Sequence, residues 1–219
     1  MRASLAGRIY DHAPQQNAVT LAGIPTFVQI EIAVEGADAL GQYASIPIAY
    51  RIVEVLDPDS PSDAEGLLPF RSRALDAPIV KDYDAQPSNH PLEWSQRFDV
   101  RGWGFLAARS DELRVGGAVI VVRSPDIELL EGRDELALLW DIRVMPAARH
   151  RSVGSALLAA SESWARARGA RVLKVETQHT NVPACRFYGK HGFVLGAVDR
   201  GAYPELSNEV QLLWYKDLV

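Results

Sequence analysis

Polar and apolar residues alternate over FVQIEIAV (27–34), the pattern of a strand with one buried face. AYRIVEVL (49–56), WGFLAARS (103–110) and RVGGAVIVVRS (114–124) have strand composition as well, the last two separated by a polar turn at Asp111 and Glu112. ELALLWDIRV (135–144) carries a continuous apolar run, which predicts a strand buried on both faces. Val153, Leu157, Ala160 and Trp164 fall on one helical stripe. Arg166 and Arg168 close that helix, with Gly169 after them, as the helix dipole and the C-cap favour. RVLKVETQ (171–178) then predicts a strand, PACRFYGKH (183–191) a helix, and FVLGAV (193–198) and EVQLLWYKDL (209–218) two final strands. Short helices are expected within GADALGQYASI (36–46) and PLEWSQRF (91–98). DPDSPSDAEG (57–66) reads as loop, and 75–101 as loop-rich apart from its short helix. Residues 1–24 read as an irregular extension ahead of one domain over 25–219. The C-terminal order of strand, helix, strand, helix, strand, strand predicts an α/β or α+β sheet domain.

Composition adjusts this picture in three ways. At 219 residues and 47% apolar, the chain can bury a sizeable core. A net charge of −5 argues against a nucleic-acid partner and suits a cationic small substrate. Cys185 is the single cysteine, so no intrachain disulfide forms, which fits a reducing cytoplasm. LAGIPTFVQIEIAV (21–34) is too short to span a bilayer and contains Pro25 and Glu31, so no membrane association is expected. No metal-ligand pattern stands out.

Candidate chemistry begins at MPAARHRSVGSA (145–156), between the predicted strand ending at Val144 and the long helix. A basic, glycine-containing turn entering a helix N-terminus can bind an anion through free backbone N–H groups and the helix dipole. Arg149, His150 and Arg151 add charge, Ser152 a hydroxyl, and Gly154 room for close approach. Neither a Walker loop nor a dinucleotide fingerprint is present, which argues against a nucleotide-binding protein. On this loop alone, a solvated basic turn accounts for the residues equally well. The second motif is NVPACRFYGKHGF (181–193), which sets Asn181, Ala184, Tyr188, Gly192 and Phe193 at fixed spacing.

Together, Arg-x-x-Gly-x-Ala at Arg151–Ala156 and Asn-x-x-Ala-x-x-x-Tyr-x-x-x-Gly-Phe resemble the GCN5-related N-acetyltransferases (GNAT). The likeness is good over about 115–216 and poor over the first hundred residues. WDIRV, VETQHTNVPACRFY and LLWYKDL resemble the streptothricin acetyltransferases within that family, and VKDYD adds to the likeness. Ser152 stands where many members have a glycine. The resemblance implies a mixed, mostly antiparallel central sheet flanked by helices, with two splayed central parallel strands. It implies acetyl-CoA as co-substrate, without a metal, and direct acetyl transfer to a primary amine through a tetrahedral intermediate. The pyrophosphate would sit on Arg149, His150, Arg151, Ser152, Val153, Gly154 and Ser155. Pantetheine would pair with the main chain of Ile142, Arg143 and Val144, with an N–H near Val144 stabilising the oxyanion. Asn181 would hold the cofactor or a water, beside Ala184. Tyr188 would protonate the departing thiolate, a transfer between groups of nearby pKa. Family habit adds a homodimer.

Each role has a plainer counterpart. Asn181 suits an N-cap, and Pro183 the first helical turn. Tyr188 could be a core aromatic beside Phe187 and Phe193. Lys190 reads as a solvated charge, Cys185 and Trp164 as packed residues. Candidate bases for the attacking amine are Asp141 and Glu176, near the ends of their strands. Ion pairs with Arg143 or Lys174 would explain them too, and a water chain could serve instead. Asp82, Tyr83, Asp84, Glu93, Trp103, Tyr203 and Glu209 form an acidic and aromatic set suited to a cationic acceptor. The alternatives to an N-acetyltransferase of small amines are a non-catalytic acyl-CoA-binding module and an acetyltransferase of protein amines.

Overall fold

The computed structural model describes residues 9–10, 29–62, 68–206 and 208–219. In chain order its elements begin with strand β1 (Ile9–Tyr10), β2 (Ile30–Glu35), helix α1 (Leu40–Ala44), β3 (Tyr50–Leu56), β4 (Ser72–Lys81) and helix α2 (Pro91–Arg97). They continue with β5 (Gly104–Ser110), β6 (Leu113–Val122), β7 (Leu136–Val144), helix α3 (Val153–Arg166) and β8 (Val172–Gln178). Helix α4 (Val182–Lys190), β9 (Val194–Asp199) and β10 (Gln211–Asp217) complete them. Among the described residues no helix is long and apolar enough to cross a membrane.

Seven strands form the main sheet in the order β2-β5-β6-β7-β8-β10-β9, and β1-β4-β3 form a smaller one. Every pair is antiparallel except β7 with β8. Those two are in parallel register only from Leu136↔Val172 to Leu139↔Val175. The cause lies on the other edge of β7, where Ile120 faces Leu139 and Val119 faces Asp141, leaving Trp140 as an extra residue. Such a bulge bends its strand and increases the local twist. Beyond it β7 runs on to Val144 and β8 to Gln178 without pairing to each other, and the sheet opens between them.

Helices α3 and α4 cover one face of the sheet, burying Leu139, Leu157, Trp164, Val175 and Tyr188 in one cluster. A second cluster on the opposite face packs Leu138 and Trp140 against Trp94 and Trp103. Leu136 through Trp140 are all buried, as the continuous apolar run predicts for a strand covered on both faces. The predicted stripe of α3 faces the core: Val153, Leu157 and Trp164 are buried and Ala160 half-buried. A fully buried Leu such as Leu157 contributes about 2 kcal/mol. Gly169 ends the helix at φ +84, and Ala170 N–H returns to Ala165 O at 3.1 Å, the left-handed stop that a glycine permits.

The expectation of a loop-rich region from 75 needs correction, because β4 extends as far as Lys81. Most of its side chains are exposed, so no apolar alternation marks it. Pro78 also argues against a strand, yet it falls where the register with β3 shifts between Ile52↔Ile79 and Glu54↔Ala74. A bulge tolerates a residue without an N–H. The expected extension over 1–24 lies outside the described residues, apart from Ile9 and Tyr10, which pair with Lys81 and Val80.

Candidate functional site

The basic turn stands at the head of α3, between β7 and the helix, where the sequence places it. The first intrahelical bond of α3 runs from Ala156 N–H to Ser152 O at 2.9 Å. The N–H groups of Val153, Gly154 and Ser155 therefore have no partner within the helix. His150 (φ 61) and Ser152 (φ 62) both take the left-handed backbone that shapes the turn. A Cβ on Gly154 would make ordinary van der Waals contact with the Phe187 ring at 3.5 Å, so packing within the protein does not by itself require a glycine here. Ser155 Oγ is 2.9 Å from His191 Nε2, and His191 Nδ1 is 2.7 Å from Phe187 O, which ties the end of α4 to the start of α3. These orphan donors and the basic turn around them fit a pyrophosphate.

A groove of about 1010 Å³ leads from this turn into the opening between β7 and β8. Arg149, His150, Ser152, Gly154 and Ser155 of the turn line it, together with Ile142, Val144, Asn181, Ala184, Tyr188 and Glu176. Arg151 and Val153 are not among its lining residues. Val153 is buried in the core, so only its backbone faces the turn.

Tyr188 is 4% exposed, with Phe187 and Phe193 edge-on to its ring, both centroids at 5.3 Å. It is thus a core aromatic and a lining residue of the groove at once. Burial first, then the neighbouring Asp141 and Cys185, push its phenol well above the ordinary tyrosine value, so it stays protonated. Asn181 caps α4 through Ala184 N–H at 3.3 Å while also lining the groove. Cys185 is fully buried, its thiol pushed up to about 12 chiefly by burial, which leaves it a packing residue. Lys190 is exposed.

The two candidate bases differ in their surroundings. Asp141 lies 2.6 Å from Arg143 Nε, and the same guanidinium holds both oxygens of Asp84 at 2.7 and 2.8 Å. The Arg143 side chain is thereby occupied, and only its main chain is open to a ligand. Burial raises the Asp141 pKa and Arg143 opposes the rise. Glu176 has no cation within ion-pair distance among the described residues, since Lys174 pairs with Glu131 at 2.6 Å. It accepts a hydrogen bond from the Tyr203 hydroxyl, and burial raises its pKa. On β8, Lys174, Glu176 and Gln178 alternate with Leu173 and Val175, which belong to the face under α3 and α4. Glu176 and Tyr188 thus approach the opening from opposite faces of the sheet.

The expected acceptor set divides. Tyr83 lines the groove and Tyr203 a smaller cavity of about 250 Å³ that shares Trp140 and Glu176 with it. Trp103 is buried against Trp94, Phe98 and Trp140. Glu209 is buried with Lys81 at 2.6 Å, Asp84 belongs to the Arg143 cluster, and Asp82 accepts from Asp84 N–H at 3.0 Å. Glu93 sits in the first turn of α2. Sequence reasoning missed Tyr50, Gln178 and His191, all of which line the groove. Gln178 could have been found two residues beyond Glu176 on the same strand face; Tyr50 carried no signal.

The chain belongs to the Acetyltransferase (GNAT) family, whose sequence profile matches residues 72–193. It is 42% identical over 81 residues to streptothricin acetyltransferase A of Bacillus subtilis (strain 168), covering 36% of this chain and 47% of that protein. It is 38% identical over 92 residues to a streptothricin acetyltransferase of Escherichia coli, covering 41% and 53%. These matches span about half the length of each relative. Among solved structures, a nourseothricin acetyltransferase superposes with a TM-score of 0.65 at 21% identity, over 87% of this chain and 99% of that one. A Bacillus anthracis str. Ames protein solved with acetyl coenzyme A gives 0.67 at 23% identity, over 86% and 98%. Both superpositions show that these structures share the overall fold of this chain.

Proposed function

We propose that this protein is an acetyl-CoA-dependent N-acetyltransferase acting on a primary amine of a small cationic molecule of the streptothricin type. The observation that carries this reading is the single groove joining the anion turn, the β7–β8 opening, Tyr188 and Glu176. The relatives' names support the choice of acceptor. One domain over 25–219, with 1–24 as an extension, and a cytoplasmic location beside the intracellular acetyl-CoA supply belong to the same reading.

Acetyl-CoA supplies the acetyl group and a thiolate leaving group. The free N–H groups at the head of α3, with Arg149 and His150, hold its pyrophosphate. The unpaired edge of β7 at Ile142–Val144 offers main-chain partners to the pantetheine and an oxyanion donor. Glu176 takes the proton from the acceptor's ammonium, directly or through a water, because among the described residues no cation lies within ion-pair distance of its carboxylate. Asp141 serves instead to hold Arg143. Tyr188 gives its proton to the departing sulfur, a role that suits a phenol kept protonated by burial.

The test combines calorimetric acetyl-CoA binding with thiol release on a panel containing a streptothricin, an aminoglycoside, a polyamine and lysine. Tyr188→Phe should lower kcat by about 10²–10⁴-fold while acetyl-CoA Kd stays within about twofold. Wild type that binds acetyl-CoA without releasing thiol on any amine would favour a binding module. Absence of acetyl-CoA binding would refute the reading altogether.

A further inference from the structure

Four side chains from separate segments form a hydrogen-bonded chain that ends on Glu176. The Tyr203 hydroxyl donates to Glu176 Oε1. Gln178 Nε2–H donates to the Tyr203 oxygen at 3.0 Å. The Tyr83 hydroxyl donates to Gln178 Oε1. The Tyr50 hydroxyl lies 3.3 Å from that of Tyr83, their rings stacked at 5.8 Å. Tyr50, Tyr83, Gln178 and Glu176 line the groove, and Tyr203 meets Glu176 on the smaller cavity.

The carboxylate dictates the direction of this chain. Ionised Glu176 can only accept, so it takes the one proton of Tyr203. The Tyr203 oxygen must then accept, which turns the amide NH₂ of Gln178 toward it and the amide oxygen toward Tyr83. Tyr83 is left to donate to Gln178, and its own oxygen to accept from Tyr50. Every donor dipole therefore points toward Glu176, and aligned bonds of this kind reinforce one another where the surroundings are less polarisable than bulk water. Gln178 has no proton to release at neutral pH, so the chain cannot conduct protons. What it can do is hold one rotamer of the carboxylate and favour its charged form.

We propose that Tyr203, Gln178 and Tyr83 are positioning residues for Glu176, fixing the carboxylate at the opening and setting its proton affinity. This deepens the reading of Glu176 as the base. The other charged groups around Glu176 are themselves engaged: Lys174 with Glu131 and Lys81 with Glu209, each at 2.6 Å. Glu128 and Asp199 face it across the smaller cavity, and Asp141 and Tyr188 across the groove. Tyr203 acts on the carboxylate directly, as does Gln211 beside it, and Tyr83 acts on it only through Gln178 and Tyr203.

Tyr203→Phe and Tyr83→Phe keep the rings and remove one donor each. The Glu176 carboxyl is followed by carbon-13 NMR titration, assigned with Glu176→Gln, alongside the pH profile of kcat/KM for the best amine of the panel. Tyr203→Phe should move the carboxyl titration up by about one pH unit, and Tyr83→Phe by a smaller step in the same direction. The acidic limb of kcat/KM should shift with it, while acetyl-CoA Kd stays unchanged. A carboxyl titration that stays put in both variants overturns the proposal. A titration that moves while the kcat/KM profile does not leaves the chain standing and removes Glu176 from the role of base.

Discussion

Ser152 holds a left-handed backbone and makes no capping bond with its side chain. For a residue with a Cβ that conformation costs about 1–2 kcal/mol. Ser152→Gly should therefore stabilise the protein by about 0.5–1 kcal/mol, part of the relief being offset by the freer unfolded chain. Urea unfolding measures it, and a loss of stability would mean that the hydroxyl has a structural role. His179 is a second such case. Its Nδ1 accepts from Val210 N–H at 3.1 Å, and burial, with Lys81 and Arg73 nearby, depresses its pKa to about 4. The unfolded chain takes up this proton near pH 6.5 and the folded one only near 4. Stability is thus full above about 6.5 and falls as pH drops through that window, by about 2 kcal/mol after allowance for solvent screening. His179→Gln should flatten that part of a Tm-against-pH curve. At this scale Tyr188 and Asn181 were legible, because spacing along α4 and its cap fixes where they lie. The role of Arg143 was not, because its partner Asp84 is 59 residues away.

Strand β6 shows how an element is shaped to receive two neighbours. Its successive glycines face opposite sides of the sheet. A Cβ on Gly116 would lie 3.0 Å from Val153 and Leu157 of α3, and one on Gly117 would lie 2.8 Å from the Tyr43 ring of α1 and 2.9 Å from Leu106 O. Gly117→Ala should cost about 1–3 kcal/mol through overpacking, seen as a lower urea midpoint with the m-value unchanged. An unaffected midpoint would show that α1 yields freely. Helix α3 was legible from periodicity, since one buried face leaves its mark at every third to fourth residue, whereas β5, β6 and β7, buried on both faces, were legible from their apolar composition. Strand β4 left no such mark. Its side chains are largely exposed, and its neighbours in the small sheet define it as a strand.

Across the whole molecule, the small sheet is joined to the approach to β10 by a buried ion pair. Lys81 is wholly buried and bonds Glu209, 128 residues away, at 2.6 Å. Removing one partner strands a charge in the interior. Glu209→Ala should cost about 3–5 kcal/mol, and Lys81→Met with Glu209→Leu should recover most of it. Thermal unfolding of the three variants checks this; a double variant as unstable as the single would indicate that packing, not charge, dominates. The sequence by itself determined the strands and helices with a buried face, the turn that enters α3, and the Asn181–Tyr188 spacing. All of these are set within a few residues, by backbone periodicity and by which conformations a turn allows. Tertiary structure alone decided where β7 and β8 part, because that follows from a bulge in the register with β6. It also decided that Asp141 belongs to an ion cluster while Glu176 faces the opening with only hydroxyl and amide support. Charges acquire their roles from partners that the chain supplies from distant segments, and those meetings exist only once the sheets have packed.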